Sequence, residues 1–431
     1  MQLPQGTLGE EDLFEFYRDH ATQVLLPFWM NRALDESNGG VYTCFNNEGT
    51  KLVSRDKYTW SQGRFVWVLS RLASLCNRGL LDEDARRCLE HAGKTVRFLR
   101  DHAILENGNC AFLVSEMGEK KESVPGHGFD TSFYADCFVV LGFSEYARVA
   151  LDAEVLEAAL GLYDRIVARL RVGDARSEPY PIPEGYEAHA VPMIMLNTSW
   201  ELANALRSAE HPRASDLEAR GLAYAAEIMK EFCLADSTIA EMLPQDDAAS
   251  DTILARHLNP GHALESMWFV MRAAAEAGRQ DLVQDAVPAI RRAFELGWDA
   301  EQGGLFRFVD RDGGTPKGRE IGHSYERLIL ETWDTKLWWP HSEALYATLL
   351  AVDLAQDESL LQPYAMVHSY TFRTFPHPDE GVGEWIQIRD RGGRPVDKMV
   401  ALPVKDPYHA LRSALLILEL LHDKPKGRCQ S

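Results

Sequence analysis

Apolar residues recur at helical spacing along most of the chain, and the pattern divides into twelve predicted helices. They lie near 10–26, 56–79, 82–102, 130–149, 152–171, 191–208, 213–232, 260–278, 280–297, 340–354, 357–369 and 407–422. The links inside pairs such as 56–102, 130–171 and 260–297 are short, which makes those neighbours antiparallel. The links between pairs are longer and carry Gly, aromatic and β-branched residues. Three of them repeat a theme: Asp35-Glu36-Ser37-Asn38-Gly39-Gly40-Val41, Asp299-Ala300-Glu301-Gln302-Gly303-Gly304-Leu305, and Gly383-Glu384-Trp385-Ile386. Each predicts a strand followed by a turn, a small β-hairpin between helices. Such recurrence means one supersecondary unit used several times. Six antiparallel pairs with hairpins on one side predict an all-α (α/α)6 barrel, a single domain over 1–431.

Antiparallel alternation gathers the N-termini of alternate helices at one mouth of such a barrel. Pro192, Pro260, Pro340 and Pro407 each open a helical pattern, and Asn197, His262, His341 and His409 follow closely. Arg64 lies early in the second helix. Asn259 and Asp406, just before two of the prolines, are good N-caps. His262 and His409 are therefore expected in first turns, where the positive helix end disfavours imidazolium and keeps the ring neutral. Two neutral imidazoles facing one pocket can take a proton from one side of a carbon and return one to the other.

The formal net charge of −20 argues against nucleic acid or an anionic membrane as partner. The hydrophobic fraction of 45% is ample for a core, yet no apolar run approaches the ~20 residues of a membrane span. The seven cysteines (44, 76, 88, 110, 137, 233, 429) are scattered without a CxxC, which reads as reduced thiols in a cytoplasmic protein and as no zinc site. Met1-Gln2-Leu3-Pro4-Gln5 is neither charged nor apolar, so no signal peptide is expected. The assembly expected is a homodimer.

Each candidate residue has a plainer reading beside its chemical one. His262 and Glu265, three apart on a helix, share a face; Glu265 holds the imidazole tautomer or binds a hydroxyl, or the two are a solvated surface pair. Without HExxH or further carboxylate–histidine spacings, HxxE predicts no metal. His409 is a proton acceptor or a helix-end histidine satisfied by water. Arg64, in Lys57-Tyr58-Thr59-Trp60-Ser61-Gln62-Gly63-Arg64, stabilises a developing oxyanion or forms a structural ion pair in the barrel wall. The stretch Trp333-Asp334-Thr335-Lys336-Leu337-Trp338-Trp339-Pro340-His341-Ser342-Glu343 offers indole faces for a sugar ring, or core packing. There is no GxSxG, and Arg311-Asp312-Gly313-Gly314-Thr315-Pro316-Lys317-Gly318 lacks the GK[ST] ending of a phosphate loop, so it is read as a hairpin tip.

These segments, with Val191-Pro192-Met193-x-x-Leu196-Asn197, Asn259-Pro260-Gly261-His262-Ala263-Leu264-Glu265 and Pro407-Tyr408-His409, resemble the N-acylglucosamine 2-epimerase family over nearly the whole chain. The resemblance implies an (α/α)6 barrel that epimerises C2 of a small reducing sugar with no redox cofactor. It implies His262 and His409 as the acid/base pair, with Arg64 and Glu265 close to the reacting carbons. The sugar-binding positions are expected at Tyr58, Trp60, Asn197, Trp338, Trp339, His341 and Lys405, with Lys336 or Lys405 available for an anionic sugar. Two features depart from the wider superfamily. Asn197-Thr198-Ser199-Trp200-Glu201 lacks the histidine that cellobiose 2-epimerases and aldose–ketose isomerases tend to carry there. No nucleotide-binding loop of the ATP-activated kind is present. The competing expectation is an aldose–ketose isomerase of the mannose/fructose type on the same scaffold. A glycoside hydrolase ranks below it, because that chemistry needs paired carboxyls where this chain has histidines.

Overall fold

The computed structural model describes residues 9–398 and 402–423; Met1–Gln5 and Cys429 lie outside them. Six helices form an inner ring: Thr59–Asn77, Phe133–Ala150, Ala190–Ser208, Pro260–Glu276, Trp338–Ala355 and Tyr408–Asp423. Each packs on the next, and the last packs on the first, so the ring closes. Six outer helices back it: Glu10–Asp19 with its continuation through Leu26–Arg32, Ala85–Phe98, Ala153–Val172, Ala214–Glu227, Gln280–Gly297 and Leu361–Thr374. This is the (α/α)6 barrel that the periodicity predicts. Burial follows the layering. Thr59–Asn77 is buried almost all round, because one side faces the barrel axis and the other the outer ring. Ala85–Phe98 buries a stripe, Cys88, His91, Ala92, Thr95 and Val96, at spacings of three and one.

All twelve predicted helices are present. A further nine-residue helix, Ser324–Thr332, was not predicted. Its start signal is unusual: His323 Nδ1 accepts from the Tyr325 N–H at 3.2 Å, and Glu326 accepts from the His323 N–H at 3.0 Å. A capping box built on histidine does not stand out in a sequence.

The strands lie at the N-terminal mouth of the inner ring, two or three residues each; Leu113–Val114 forms a hairpin with Lys120–Lys121, and the other pairings join separate links. Lys57–Tyr58 pairs with Leu113–Val114, Tyr186–Ala188 with Met242–Pro244, His257–Leu258 with Val309–Asp310, and Lys336–Leu337 with Ile388–Arg389. The repeated Gly-rich segments are tight turns, closed by the single bridges Leu34↔Val41, Trp298↔Leu305 and Pro376↔Trp385. A buried lysine pins each turn. Lys57 Nζ lies 2.7 Å from Asp35 and 2.6 Å from the Gly39 carbonyl. Lys336 holds Asp299 at 3.2 Å and the Gly304 carbonyl at 3.1 Å. Lys405 holds Glu384 at 2.8 Å and the Trp385 carbonyl at 2.6 Å. The recurring unit is thus a turn tied by an ion pair under the entry of an inner helix.

Candidate active site

A cavity of about 220 Å³ opens at the mouth where the inner helices begin. Its wall includes His262, His409, Glu265, Arg64, Asn197, Trp60, Trp338 and Trp339. The two histidines, far apart in the chain, lie against one indole: the Trp339 ring is 5.2 Å from that of His262 and 5.6 Å from that of His409.

The local sequence sets both rings. Asn259 caps helix Pro260–Glu276 by accepting from the His262 N–H at 3.2 Å. Asp406 accepts from the Tyr408 N–H at 2.6 Å and starts the last helix. Each imidazole then meets a carboxylate through Nδ1. His262 Nδ1 is 2.7 Å from Glu241, and His409 Nδ1 is 2.7 Å from Glu343. An ionised carboxylate only accepts, so Nδ1 carries the proton in both rings and Nε2 is left for the cavity.

The surroundings then diverge. Burial works against the His262 imidazolium, but the charge and hydrogen bond of Glu241 outweigh it and raise His262 above the ordinary histidine value. Burial pushes His409 down to about 3, with Arg64 and Arg412 adding to the effect and Glu265 opposing it. Burial would also raise Glu241, yet His262 and His189 beside it hold its carboxyl well below the usual range. The expectation that the helix end keeps both rings neutral is therefore corrected for His262. A full carboxylate at hydrogen-bond distance exceeds the half charge of a helix terminus.

Glu265 does not hold His262. It pairs with Arg412, whose Nη2 also donates to Glu343 at 2.7 Å; the Trp268 indole N–H donates to the other Glu343 oxygen at 2.7 Å. Glu265, Glu343 and His409 bring one ligating atom each within 4.8 Å of one another, but the Arg412 guanidinium already bridges the two carboxylates. A cation there would have to displace a buried ion pair. Arg64 combines both of its readings: it lines the cavity and it pairs with Asp406, its guanidinium 4.0 Å from the Phe138 ring centre and 4.7 Å from that of Trp60.

Three expected sugar-binding residues lie outside the cavity wall. Tyr58 packs edge-on against Phe112 at 5.6 Å. His341 is wholly buried; its Nε2 accepts from the Leu305 N–H at 2.8 Å, its Nδ1 donates to the Leu337 carbonyl at 2.6 Å, and burial takes it down to about 3. Lys405, like Lys336, is consumed by its turn and its acidic partner. Conversely, Glu241, Glu343, Arg412 and Arg307 had not been singled out, and Asp406 had been read only as an N-cap. Glu343 ended a quoted segment, and Arg412 follows His409 by three residues, on the same helix face. Glu241 lies on a link with no motif, and only the pairing of Met242–Pro244 with Tyr186–Ala188 carries it to His262.

The family model described as N-acylglucosamine 2-epimerase matches residues 40–413. The N-acylglucosamine 2-epimerase of Bos taurus is 29% identical over 96% of this chain and 93% of its own length. In structure, the cellobiose 2-epimerase of Bacillus thermoamylovorans superposes with a TM-score of 0.74 at 19% identity, over 95% of this chain and 100% of that one. A D-mannose isomerase gives a TM-score of 0.74 at 17% identity, over 94% of this chain and 98% of that one. At those identities the two structures share the fold.

Proposed function

We propose that this chain, which belongs to the N-acylglucosamine 2-epimerase family, inverts C2 of a reducing aldose or N-acylhexosamine by moving protons through His262 and His409. It is a carbohydrate epimerase, an isomerase. The observation that supports the mechanism is the pair of imidazoles against one indole, Trp339, in one cavity, each fixed through Nδ1 by its own carboxylate.

In the open-chain sugar the C1 carbonyl acidifies the C2 hydrogen. Neutral His409 takes that proton through Nε2. The C–H electrons form the C1–C2 double bond, and the carbonyl oxygen becomes an oxyanion near Arg64. Protonated His262 then delivers its Nε2 proton to C2 from the opposite side, and the carbonyl re-forms. The electrons return to the atom they came from, so no redox partner is required. Environments that push two titratable groups apart point to base and acid; here the lowered His409 and the raised His262 support His409 as base and His262 as acid in this direction. Starting from the other epimer, the roles exchange. General acid–base help of this kind contributes about 10²–10⁴-fold per group. Trp338, Trp339 and Trp60 offer ring faces to the sugar, and Asn197 and Glu265 offer hydrogen bonds to its hydroxyls.

No helix among the described residues is long and apolar enough to cross a membrane, and the six cysteines described there are unpaired. Both support a cytoplasmic enzyme. The test is NMR in heavy water over a panel of reducing sugars: the reading expects a 2-epimer with solvent deuterium at C2. Accumulation of a ketose with no 2-epimer would replace it with an isomerase.

A further inference from the structure

Three guanidiniums line the cavity, and they are not alike. Arg64 is paired with Asp406, and Arg412 with Glu265 and Glu343. Arg307 is buried as deeply, 5% exposed, yet among the described residues no carboxylate lies within ion-pair distance of it. Its Nη1 donates to the Thr332 hydroxyl at 3.0 Å and its Nη2 to the Tyr180 hydroxyl at 3.2 Å, while the group leans over the Phe308 ring at 4.9 Å. Hydroxyls and an aromatic face orient a guanidinium without neutralising it. A guanidinium has five N–H donors, and these two bonds leave others for a ligand. The carboxylates of the cavity wall, Glu241, Glu265 and Asp406, are each engaged elsewhere.

Burying a charge with no partner is costly, and charges so placed are ordinarily paired or await a ligand. Arg307 lies two residues before strand Val309–Asp310, whose partner His257–Leu258 leads into the helix that bears His262. Its charge reaches His262, acting against the imidazolium. It therefore stands on the His262 side of the cavity. We propose that Arg307 is a specificity residue for a sugar bearing an anionic substituent, a carboxylate or a phosphate, on the part of the molecule remote from C2. The proposal rests on the epimerase reading and deepens it. It also replaces Lys336 and Lys405, whose charges are spent inside the fold, as the cation available to such a sugar.

The test compares matched pairs in heavy water by NMR: N-acetylglucosamine with its 6-phosphate, glucose with glucose 6-phosphate, and glucose with glucuronate. The 6-phosphate and uronate arms separate phosphate from carboxylate. At least one anionic member should exceed its neutral partner in kcat/KM by about 10- to 100-fold, the effect of a charge-assisted hydrogen bond. Arg307→Met should bring that ratio to near unity and Arg307→Lys should keep most of it. If Arg307→Met does not fold, as judged by its circular dichroism melt, Arg307→Gln replaces it, because it keeps a donor for Tyr180. Ratios at or below unity in the wild type, or a ratio that Arg307→Met leaves unchanged, overturn the proposal. If no sugar exchanges its C2 hydrogen, the epimerase reading fails. Calorimetry on the same pairs then decides for Arg307: tighter binding of glucose 6-phosphate or glucuronate than of glucose supports it, and equal or weaker binding overturns it.

Discussion

His262 and His409 are the same side chain, in the first turns of parallel inner helices, each on a carboxylate, yet they are driven in opposite directions. The difference lies behind the carboxylates. Burial opposes both imidazoliums; around His409 the charge of Glu265 does not offset it, because Arg412, shared by Glu265 and Glu343, and Arg64 act with burial. Among the described residues the ion-pair partners of Glu241 are two imidazoles, His262 and the buried His189, and no guanidinium shares it. Between about 3 and the raised value of His262, the pair then carries one proton, held on His262. The sign of the pH dependence follows. His409 is already neutral above about 3, so it sets no limb near neutrality. His262 is raised, so its imidazolium persists beyond the ordinary value of ~6.5, and turnover should fall as pH climbs through the raised value. Glu241→Gln removes the charge that raises it, so the alkaline limb of kcat/KM should move to lower pH and kcat should fall by about 10- to 100-fold, as for other residues that orient a functional histidine. A pH–rate profile of both proteins checks this; an unmoved limb would take His262 out of the acid role. A comparable profile for Glu343→Gln should show its main change in kcat, because Arg412 already buffers that carboxylate.

Among the elements, the inner helices are spaced by glycine where the barrel is tightest. A Cβ on Gly63 would stand 2.3 Å from the Phe138 carbonyl oxygen, and one on Gly142 would stand 2.4 Å from the Gly63 carbonyl oxygen. Both obstacles are backbone, which cannot swing aside. Gly63→Ala should therefore push Thr59–Asn77 off Phe133–Ala150 and cost about 1–3 kcal/mol, the range for overpacking. Because Arg64 is the next residue, its place in the cavity should shift too, and a raised KM alongside a lowered Tm would report both effects. The turn-pinning lysines supply a second check. Lys57→Met strands Asp35, which is 2% exposed at its side chain, and should cost about 3–5 kcal/mol, read from chemical denaturation. This is also the scale at which the sequence was most legible. Periodicity, short links, proline at helix entries and Asn259 as a cap are local signals, and each is fulfilled by contacts a few residues away. The strand partners were not legible, since two-residue ladders such as His257–Leu258 with Val309–Asp310 join segments that nothing local connects. Glu241 was hidden for the same reason. His341 and Lys405 misled in the other direction: a histidine and a lysine beside catalytic-looking motifs serve as buried ties for a neighbouring turn, and only the packing reveals which they are.

For the whole molecule, the barrel turns six separated helix starts into one cavity, and it does so by burying charge. Burial disfavours the Asp35 carboxylate, but Lys57 and Asn38 outweigh it and leave it at about 2. Burial likewise opposes the Asp299 carboxylate, and Arg391 and Lys336 hold it below the usual range. Groups depressed in this way contribute stability above their unfolded values near 4, and lose it as pH falls through the folded ones. Tm should therefore drop steeply between about pH 5 and 2. A flat acid profile would mean these buried pairs are not formed in solution. The raised His262 acts with the opposite sign: its contribution is complete below ~6.5 and fades as pH rises past its folded value.

What the barrel has to achieve is access to both sides of one carbon. That is measured most directly by following C2 hydrogen in heavy water with the wild type and with His409→Ala. The wild type should yield the 2-epimer carrying deuterium at C2. The variant should lose epimerisation by about 10²–10⁴-fold while C2 exchange persists from the epimer whose hydrogen faces His262. Product that keeps its original C2 hydrogen, or a variant that epimerises at the wild-type rate, would contradict the two-histidine account.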